Sequence, residues 1–304
     1  MTAQPERFPS VIDTLRALRV NQWTKNLVVL AAFFFAFGDK TQSVSLALFI
    51  RVGQACALFC LASSGIYLIN DIRDRAADRL HPVNRFRPIA SGKVPLFPAA
   101  ILSAILLAIS VFGSFWLSPP FALIVGGYII LQIIYTLWLK HVALVDVFVI
   151  AIGFVMRAAA GGVVINVAVS PWLLLCALLL ALFLALCKRR HEKLLMEEDN
   201  ALHRPSLEQY DQKLLDQLIA IVSAATIVSY SIYTLWPDTQ LKFHTPLLSL
   251  TIPLVIFGIF RYLDLVYRKE GGGRPEKTLL TDGPLLIDLA LYGLTVLGIF
   301  AFSR

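Results

Sequence analysis

The chain has 304 residues, of which 58% are hydrophobic and 15% charged, and its mean hydropathy is +0.73. This composition excludes an ordinary globular protein and indicates a polytopic membrane protein. The formal net charge of +7 would also suit a nucleic-acid-binding protein, but the positions of the charges along the chain argue against that function.

The chain reads as one polytopic, all-α membrane domain over residues 1–304. Residues 8–24 alternate apolar and basic side chains at helical spacing, which predicts a short helix in the membrane interface. Nine apolar segments follow, and most are long enough to cross a hydrocarbon core of about 30 Å. They cover residues 26–38, 44–69, 96–117, 121–139, 142–164, 171–187, 214–236, 246–267 and 284–302.

The distribution of Lys and Arg predicts the orientation. With a cytoplasmic N-terminus and nine spans, 22 of these residues fall on the cytoplasmic side and 4 on the other, while Arg157 lies inside the membrane. The two long cytoplasmic loops, 70–95 and 188–213, are four spans apart and each opens with a charged run. We therefore expect two related halves that share an active site on the cytoplasmic face.

The first loop opens with three carboxylates. Asp71, Asp74 and Asp78 are spaced i, i+3 and i+7, so on one helix they would point within an arc of about 60°. Three like charges on one face favour a cation, and oxygen ligands favour Mg²⁺, which would bridge them to a phosphorylated substrate. The alternative is a solvated acidic turn that pairs with neighbouring arginines. Asn70 would cap the helix or donate to a phosphate.

A basic segment follows the acids. Pro82 and Pro88 end the helix and Gly92 permits a tight turn, so the segment would fold back over the metal. Its cations would bind the phosphates of a diphosphate, and the alternative is attraction to lipid headgroups. These cations are Arg85, Arg87 and Lys93.

The second loop opens with a cationic run instead. Lys188 and Arg189 would hold a second anionic group, and the alternative is that they only set the membrane topology. Tyr135 and Lys140 close the fourth span near the same rim, within reach of a substrate. Arg157 must find a partner or an aqueous cavity within the membrane, in a structural or a substrate-binding role.

These residues resemble the UbiA superfamily of intramembrane prenyltransferases. Asn70-Asp71-x-x-Asp74-x-x-x-Asp78 is similar to the first aspartate motif of that superfamily, whose fold has nine helices. The resemblance is narrower to its decaprenyl-phosphate phosphoribosyltransferase branch. The stretches that carry it are 19–26, which includes Lys25, and 81–92, 188–192 and 280–285.

The resemblance implies that a Mg²⁺-dependent enzyme transfers 5-phosphoribosyl from phosphoribosyl pyrophosphate (PRPP) to a polyprenyl (decaprenyl) phosphate. The product would lead towards decaprenylphosphoryl arabinose and cell-wall-type glycan precursors. Lys25 would belong to the substrate site, and the protein would be a homo-oligomer such as a trimer. The second aspartate motif of the superfamily is basic here, at 188–193, which favours two phosphorylated substrates.

Two other functions remain open from the sequence. The first is an aromatic or quinone prenyltransferase that uses a prenyl diphosphate with the same metal site. The second is a carrier that moves a lipid phosphate or another anion without chemistry. The acids lie at a membrane rim rather than at the midplane, which disfavours a carrier.

Overall fold

The computed structural model describes residues 10–39, 45–198, 209–268 and 281–303, together with the single positions 207 and 278. All the regular structure in these residues is helical. The α-helices are α1 Val11–Ala17, α2 Ala31–Gly38, α3 Leu46–Arg73, α4 Arg75–Leu80, α5 Leu96–Leu117, α6 Pro119–Leu137, α7 Val145–Val164, α8 Pro171–Glu198, α9 Gln212–Leu235, α10 Pro237–Phe243, α11 Ile252–Arg268 and α12 Gly283–Ser303. Short 3₁₀ helices cover Val20–Leu30, Asn84–Phe86, Leu139–His141 and Leu247–Thr251.

Eight helical segments of the described chain are 19 to 28 residues long and apolar enough to cross a membrane. They correspond to the second to ninth predicted segments, and they confirm the all-α membrane class. Their large apolar side chains are widely exposed, as in Phe112, Trp116 and Leu123, because lipid rather than protein covers them.

The first predicted span has a different form. The chain from Val20 to Gly38 is a 3₁₀ helix followed by α2, rather than an α-helix that begins near residue 26. Because a 3₁₀ helix rises about 2.0 Å per residue, the whole segment is about 34 Å long and can still cross the membrane. The predicted interfacial helix is shorter than expected, since α1 ends at Ala17. Its predicted positions 8 and 9 lie outside the described residues.

Small residues bring the first helices together. The Ser103 hydroxyl of α5 donates to the Gly65 carbonyl of α3 at 2.8 Å, and the Ser110 hydroxyl donates to the Leu58 carbonyl at 2.9 Å. On α7, a Cβ at Gly161 would lie 2.2 Å from the carbonyl oxygen of Val29, so only glycine permits this contact with the first span. Close backbone approach of this kind is typical of membrane helices.

Contacts between side chains show at which end of the bundle each connection between helices lies. At one end, Arg19 meets Asp71 and Lys140 meets Asp74. At the other end, Gly38 packs against the ring of Phe300. The acidic stretch, the end of α6 and the charged part of α8 therefore share one end, as the charge distribution predicts. We call it the charged end.

Candidate active site

The acidic stretch lies where α3 ends. Asp71 is in the last turn of α3, whereas Asp74 has left the α-helical conformation, with φ −86° and ψ 4°, and α4 begins at Arg75. The carbonyl of Asn70 accepts from the N–H of Asp74 at 2.9 Å, which closes the helix end. The prediction of three carboxylates on one face of a continuous helix is wrong, because the helix is interrupted at the middle aspartate.

Two of the three carboxylates nevertheless converge. Asp71 and Asp78 are 2% and 5% exposed. One nitrogen of Arg87, Nη1, donates to Asp78 Oδ2 at 2.7 Å and to Asp71 Oδ1 at 3.3 Å. Arg19 donates to the same Asp71 oxygen. Two guanidinium groups thus neutralise two buried carboxylates, as charge burial requires.

The third carboxylate has a different partner. Lys140 Nζ lies 2.5 Å and 2.7 Å from the two carboxylate oxygens of Asp74. Arg73 strengthens the same junction, since its guanidinium donates to the Leu137 carbonyl at the end of α6, at 2.9 Å. Asp74 therefore docks the end of α6 against the acidic stretch. We call the whole group the Asp71 cluster: Asp71, Asp74, Asp78, Arg19, Arg87 and Lys140.

The segment after α4 folds back as predicted. His81 Nδ1 accepts from the backbone N–H groups of Val83 and Asn84, both at 3.1 Å, so this nitrogen carries no proton. Burial lowers the pKa of His81, while the nearby carboxylates of Asp78 and Glu192 oppose that shift. The influence of Glu192 also shows that the two charged segments lie near each other.

The turn at Gly92 confirms the sequence prediction, because its φ of +80° lies in the left-handed region that glycine adopts readily. Among the described residues, Arg87 is the one of the three predicted phosphate-binding cations in this segment that pairs with Asp71 and Asp78, whereas Lys93 Nζ lies 3.9 Å from Asp13 Oδ1. Arg85 and Lys93 are exposed at the rim. Lys25 is half-buried in the first 3₁₀ helix.

The predicted cationic run has a different setting from the one expected. α8 continues to Glu198, so Lys188 and Arg189 lie within a helix and do not open a loop. Residues 199–206 and 208 of that predicted loop lie outside the described residues. The side chain of Lys188 is 43% exposed, and its Nζ is 3.7 Å from Glu192 Oε1.

Arg189 is buried, with 3% of its side chain exposed. Its Nε donates to Asp146 Oδ2 at 2.8 Å, and its Nη1 donates to Glu192. The hydroxyl of Tyr210 donates to Asp146 Oδ1 at 2.7 Å. We call these four residues the Asp146 cluster. Tyr135, half-buried in the last turn of α6, lies within electrostatic reach of Arg189.

The intramembrane Arg157 is held by neutral partners. Its Nε donates to Asn26 Oδ1 at 2.7 Å, its Nη1 to the Gly153 carbonyl at 2.8 Å and its Nη2 to the Tyr128 hydroxyl at 2.7 Å. It also lies over the rings of Tyr128 and Phe154. These contacts give it a structural role that ties the first span to α6 and α7.

The Asp71 cluster fits a metal ion in part. In the described chain, no three His, Cys, Asp or Glu side chains are close enough together to hold one. Asp71 and Asp78 already meet at a single cationic nitrogen, and their donors are the carboxylate oxygens that Mg²⁺ prefers. Asp74 would have to exchange Lys140 for the ion. The next residue in the chain, Arg75, has a buried Nε for which the described residues provide no hydrogen-bond partner.

Sequence reasoning missed Arg19 as a member of the Asp71 cluster and Tyr210 as a member of the Asp146 cluster. Arg19 lies in one of the stretches that carry the family resemblance, and this was a usable signal. Nothing in the sequence marks Tyr210, because its partner Asp146 lies in a distant span.

The fold and the charged end define a polytopic membrane enzyme whose buried carboxylates and cations are suited to a phosphorylated substrate. The chain belongs to the UbiA prenyltransferase family, whose sequence profile matches residues 27–278.

The chain is 37% identical to the decaprenyl-phosphate phosphoribosyltransferase of Mycolicibacterium smegmatis over 297 residues, which cover 94% of this chain and 92% of the relative. It is 35% identical to the enzyme of the same name from Mycobacterium tuberculosis, over 95% and 94% of the two chains. The solved structure of a UbiA homologue from Archaeoglobus fulgidus, bound to DMAPP and Mg²⁺, has a TM-score of 0.69 and 20% identity over 96% of this chain and 97% of its own. That likeness shows a common fold.

Proposed function

We propose that this protein transfers the 5-phosphoribosyl group of PRPP to a polyprenyl phosphate and releases pyrophosphate. The observation that carries the proposal is the convergence of two buried carboxylates on one guanidinium, at one end of a membrane bundle. Such a site suits a diphosphate that arrives with a divalent cation. The names of the relatives support a phosphoribosyl donor and a polyprenyl phosphate acceptor.

Asp71 and Asp78 would hold Mg²⁺, together with Asp74 once its carboxylate leaves Lys140. When bound, the ion neutralises negative charge on the pyrophosphate leaving group. Arg87, released from the aspartates, would bind the pyrophosphate oxygens. Further cations at the rim would add charge-assisted contacts, which are stronger than neutral hydrogen bonds. They would be Arg85 and Lys93, with Lys140 once it leaves Asp74, and Asn70, Lys25 and Tyr135 are the other proposed substrate-binding residues.

The acceptor needs no general base, since a phosphate monoester is largely ionised near pH 7. One phosphate oxygen of the polyprenyl phosphate attacks the anomeric carbon of the ribose while the bond from that carbon to the pyrophosphate oxygen breaks. The electron pair of the broken bond leaves with pyrophosphate, and attack from the opposite face inverts the centre. Electrostatic stabilisation of the departing charge by Arg87 and its neighbours lowers the barrier.

Lys188 is better suited than Arg189 to hold the second anionic group. It is 43% exposed, whereas Arg189 is buried and already donates to Asp146 and Glu192. This assignment leaves Arg189 as the residue that fixes α8 against α7. Lys188 would hold either the ribose 5-phosphate or the lipid phosphate. The KM values of Lys188 variants for PRPP and for polyprenyl phosphate distinguish the two.

We also propose that the charged end faces the cytoplasm. The excess of Lys and Arg at that end supports this orientation, as does the location of a water-soluble donor. The polyprenyl tail would then remain among the lipid-exposed helices while its phosphate enters the site. Assembly into a homo-oligomer such as a trimer stays a prediction.

The test is a transfer assay with the purified protein in lipid nanodiscs and PRPP labelled in the ribose. Label should enter the lipid phase only when polyprenyl phosphate and Mg²⁺ are both present. Consumption of a prenyl diphosphate with an aromatic or quinone-precursor ring, without ribose transfer, would identify a prenyltransferase instead. Movement of lipid phosphate across the membrane with no covalent product would identify a carrier.

A further inference from the structure

Arg19 occupies a strained position next to the acidic residues. Its φ of 51° and ψ of 48° lie in the left-handed region, which a residue with a side chain adopts at a cost. Its guanidinium contacts Asp71 and lies 4.9 Å from the centre of the Tyr67 ring. Strain of this kind persists only where the surroundings impose it, and it is concentrated at functional sites.

The surroundings of Arg19 are the 3₁₀ helix that follows it. An eleven-residue 3₁₀ helix is unusually long, and three contacts on α3 and α7 hold it. The indole N–H of Trp23 donates to the Ser64 hydroxyl at 3.0 Å, and Asn26 accepts from Arg157 at 2.7 Å. Val29 is buried against the bare backbone at Gly161. The packing of this 3₁₀ helix against α3 and α7 therefore fixes the position of Arg19.

Arg19 contacts the same Asp71 oxygen that a metal ion would need as a ligand. Asp71 Oδ1 receives Arg19 and, at 3.3 Å, Arg87, so this oxygen already has two cationic partners. An ion held between Asp71 and Asp78 would compete for the same oxygen. The side chain of Arg19 is 23% exposed, whereas that of Asp71 is 2% exposed, so the arginine is the partner with room to move.

We propose that Arg19 is the counter-ion of Asp71 in the empty enzyme and becomes a ligand of the donor diphosphate when the metal binds. The inference rests on the proposed function, because it assumes that a metal and a diphosphate share this site. A guanidinium displaced from a carboxylate can make the same paired contacts to a phosphate. The consequence is coupling: the metal alone binds weakly, and the metal and diphosphate strengthen each other's binding.

The test measures binding of Mn²⁺, a paramagnetic substitute for Mg²⁺, to the full-length protein in nanodiscs. No substrate turns over in this measurement. Arg19→Gln should bind Mn²⁺ alone about fivefold more tightly than wild type, because a competing cation is gone. With Mn²⁺ saturating, the same variant should bind pyrophosphate about tenfold more weakly, because it lacks a charge-assisted contact. The two changes have opposite signs, which general damage to the site would not produce.

Two further variants complete the test. Arg19→Lys keeps the charge and should restore most of the pyrophosphate affinity. Arg16→Gln removes a cation from α1 whose side chain is 68% exposed and lies 3.9 Å from Asp13, and this variant should behave like wild type. Thermal unfolding of each variant checks that it is folded.

The outcomes separate this inference from the proposed function. If Arg19→Gln binds Mn²⁺ alone no more tightly than wild type, or binds pyrophosphate equally well, Arg19 does not have the double role. If Asp71→Asn binds Mn²⁺ and pyrophosphate as wild type does, the metal assignment of the proposed function is wrong as well.

Discussion

The charged end contains two ionic clusters that differ in access to solvent. In the Asp71 cluster the carboxylates of Asp71 and Asp78 are buried, but their arginine partners, Arg19 and Arg87, are 23% and 28% exposed. In the Asp146 cluster both members of the central pair are buried, since Asp146 is 0% and Arg189 3% exposed. The first cluster can exchange its cations with a ligand, and the second cannot without opening the bundle.

Because the two clusters differ in solvent exposure, similar ion pairs have different roles in them. A buried pair that is fully enclosed fixes the packing of the helices that carry it, because breaking it leaves an uncompensated charge. A buried carboxylate whose cationic partners reach solvent can exchange one of them for another cation. In the proposed function, the Asp71 cluster is therefore the part of the site that would bind the donor and the metal, and the Asp146 cluster would support it.

The largest expected effect is on turnover in Asp71→Asn. Loss of this carboxylate removes a metal ligand and should lower kcat about a thousandfold, the scale of losing a main electrostatic group in an active site. The melting temperature should change little, because Arg19 and Arg87 can be hydrated. Ribose transfer at saturating Mg²⁺ measures the loss, with Asp264→Asn in α11 as the control carboxylate. Wild-type turnover in Asp71→Asn would refute the metal role.

The next effect is on stability in Arg189→Met. This change leaves Asp146 buried without its cation and should cost about 3 kcal/mol of unfolding free energy. Thermal unfolding in detergent should show a clear fall in Tm. Lys188→Met, one residue away and 43% exposed, should unfold like wild type. A wild-type Tm with a raised KM in Arg189→Met would reverse the comparison and place Arg189 in the substrate site.

A smaller effect is expected from Lys188→Ala. The variant should raise the KM for one of the two anionic substrates about fivefold, with kcat nearly unchanged, because it removes one exposed charge-assisted contact. Initial rates over a range of PRPP and of polyprenyl phosphate identify which substrate is affected. Unchanged KM for both would mean that Lys188 serves only membrane topology.

Hydropathy and charge were enough to predict the membrane class, the spans from the second onwards and the charged end. These features follow from local composition, because a bilayer needs about 20 apolar residues per span and sorts positive charges by side. The 3₁₀ form of the first span was not predictable in this way. It depends on Trp23, Asn26 and the bare backbone at Gly161, which are contacts between distant segments.

The sequence identified several residues of the Asp71 cluster but not the pairs that they form. The spacing places Asp71, Asp74 and Asp78 on one face of an ideal helix. In the structure the helix breaks at Asp74, and this residue forms an ion pair with Lys140. Charge pattern likewise grouped Lys188 with Arg189, although their exposure differs sharply. A sequence pattern shows which like charges lie close together along the chain. Partners from other helices decide which of these charged side chains remain accessible.

The smallest expected effect is a pH dependence that enters through His81. Its Nδ1 accepts two backbone N–H groups, so protonation would break both bonds and loosen the segment that carries Arg87. Because burial lowers the pKa of His81 in the folded protein, the neutral form is favoured there, and this stabilisation is lost as the pH falls below about 6.5, the ordinary value for histidine. We expect the KM for PRPP to rise as the pH falls from 7.5 to 5.5.

The control for this pH dependence is His81→Asn, whose side-chain oxygen can accept similar backbone bonds but does not titrate. Protonation of PRPP itself affects both proteins equally, so the difference between their KM profiles isolates His81. We expect the wild-type KM to rise about two- to threefold more than that of the variant, the scale of one weakened hydrogen bond. Parallel profiles would mean that the fold of this segment does not depend on His81, and that Arg87 is held in the Asp71 cluster by the carboxylates alone.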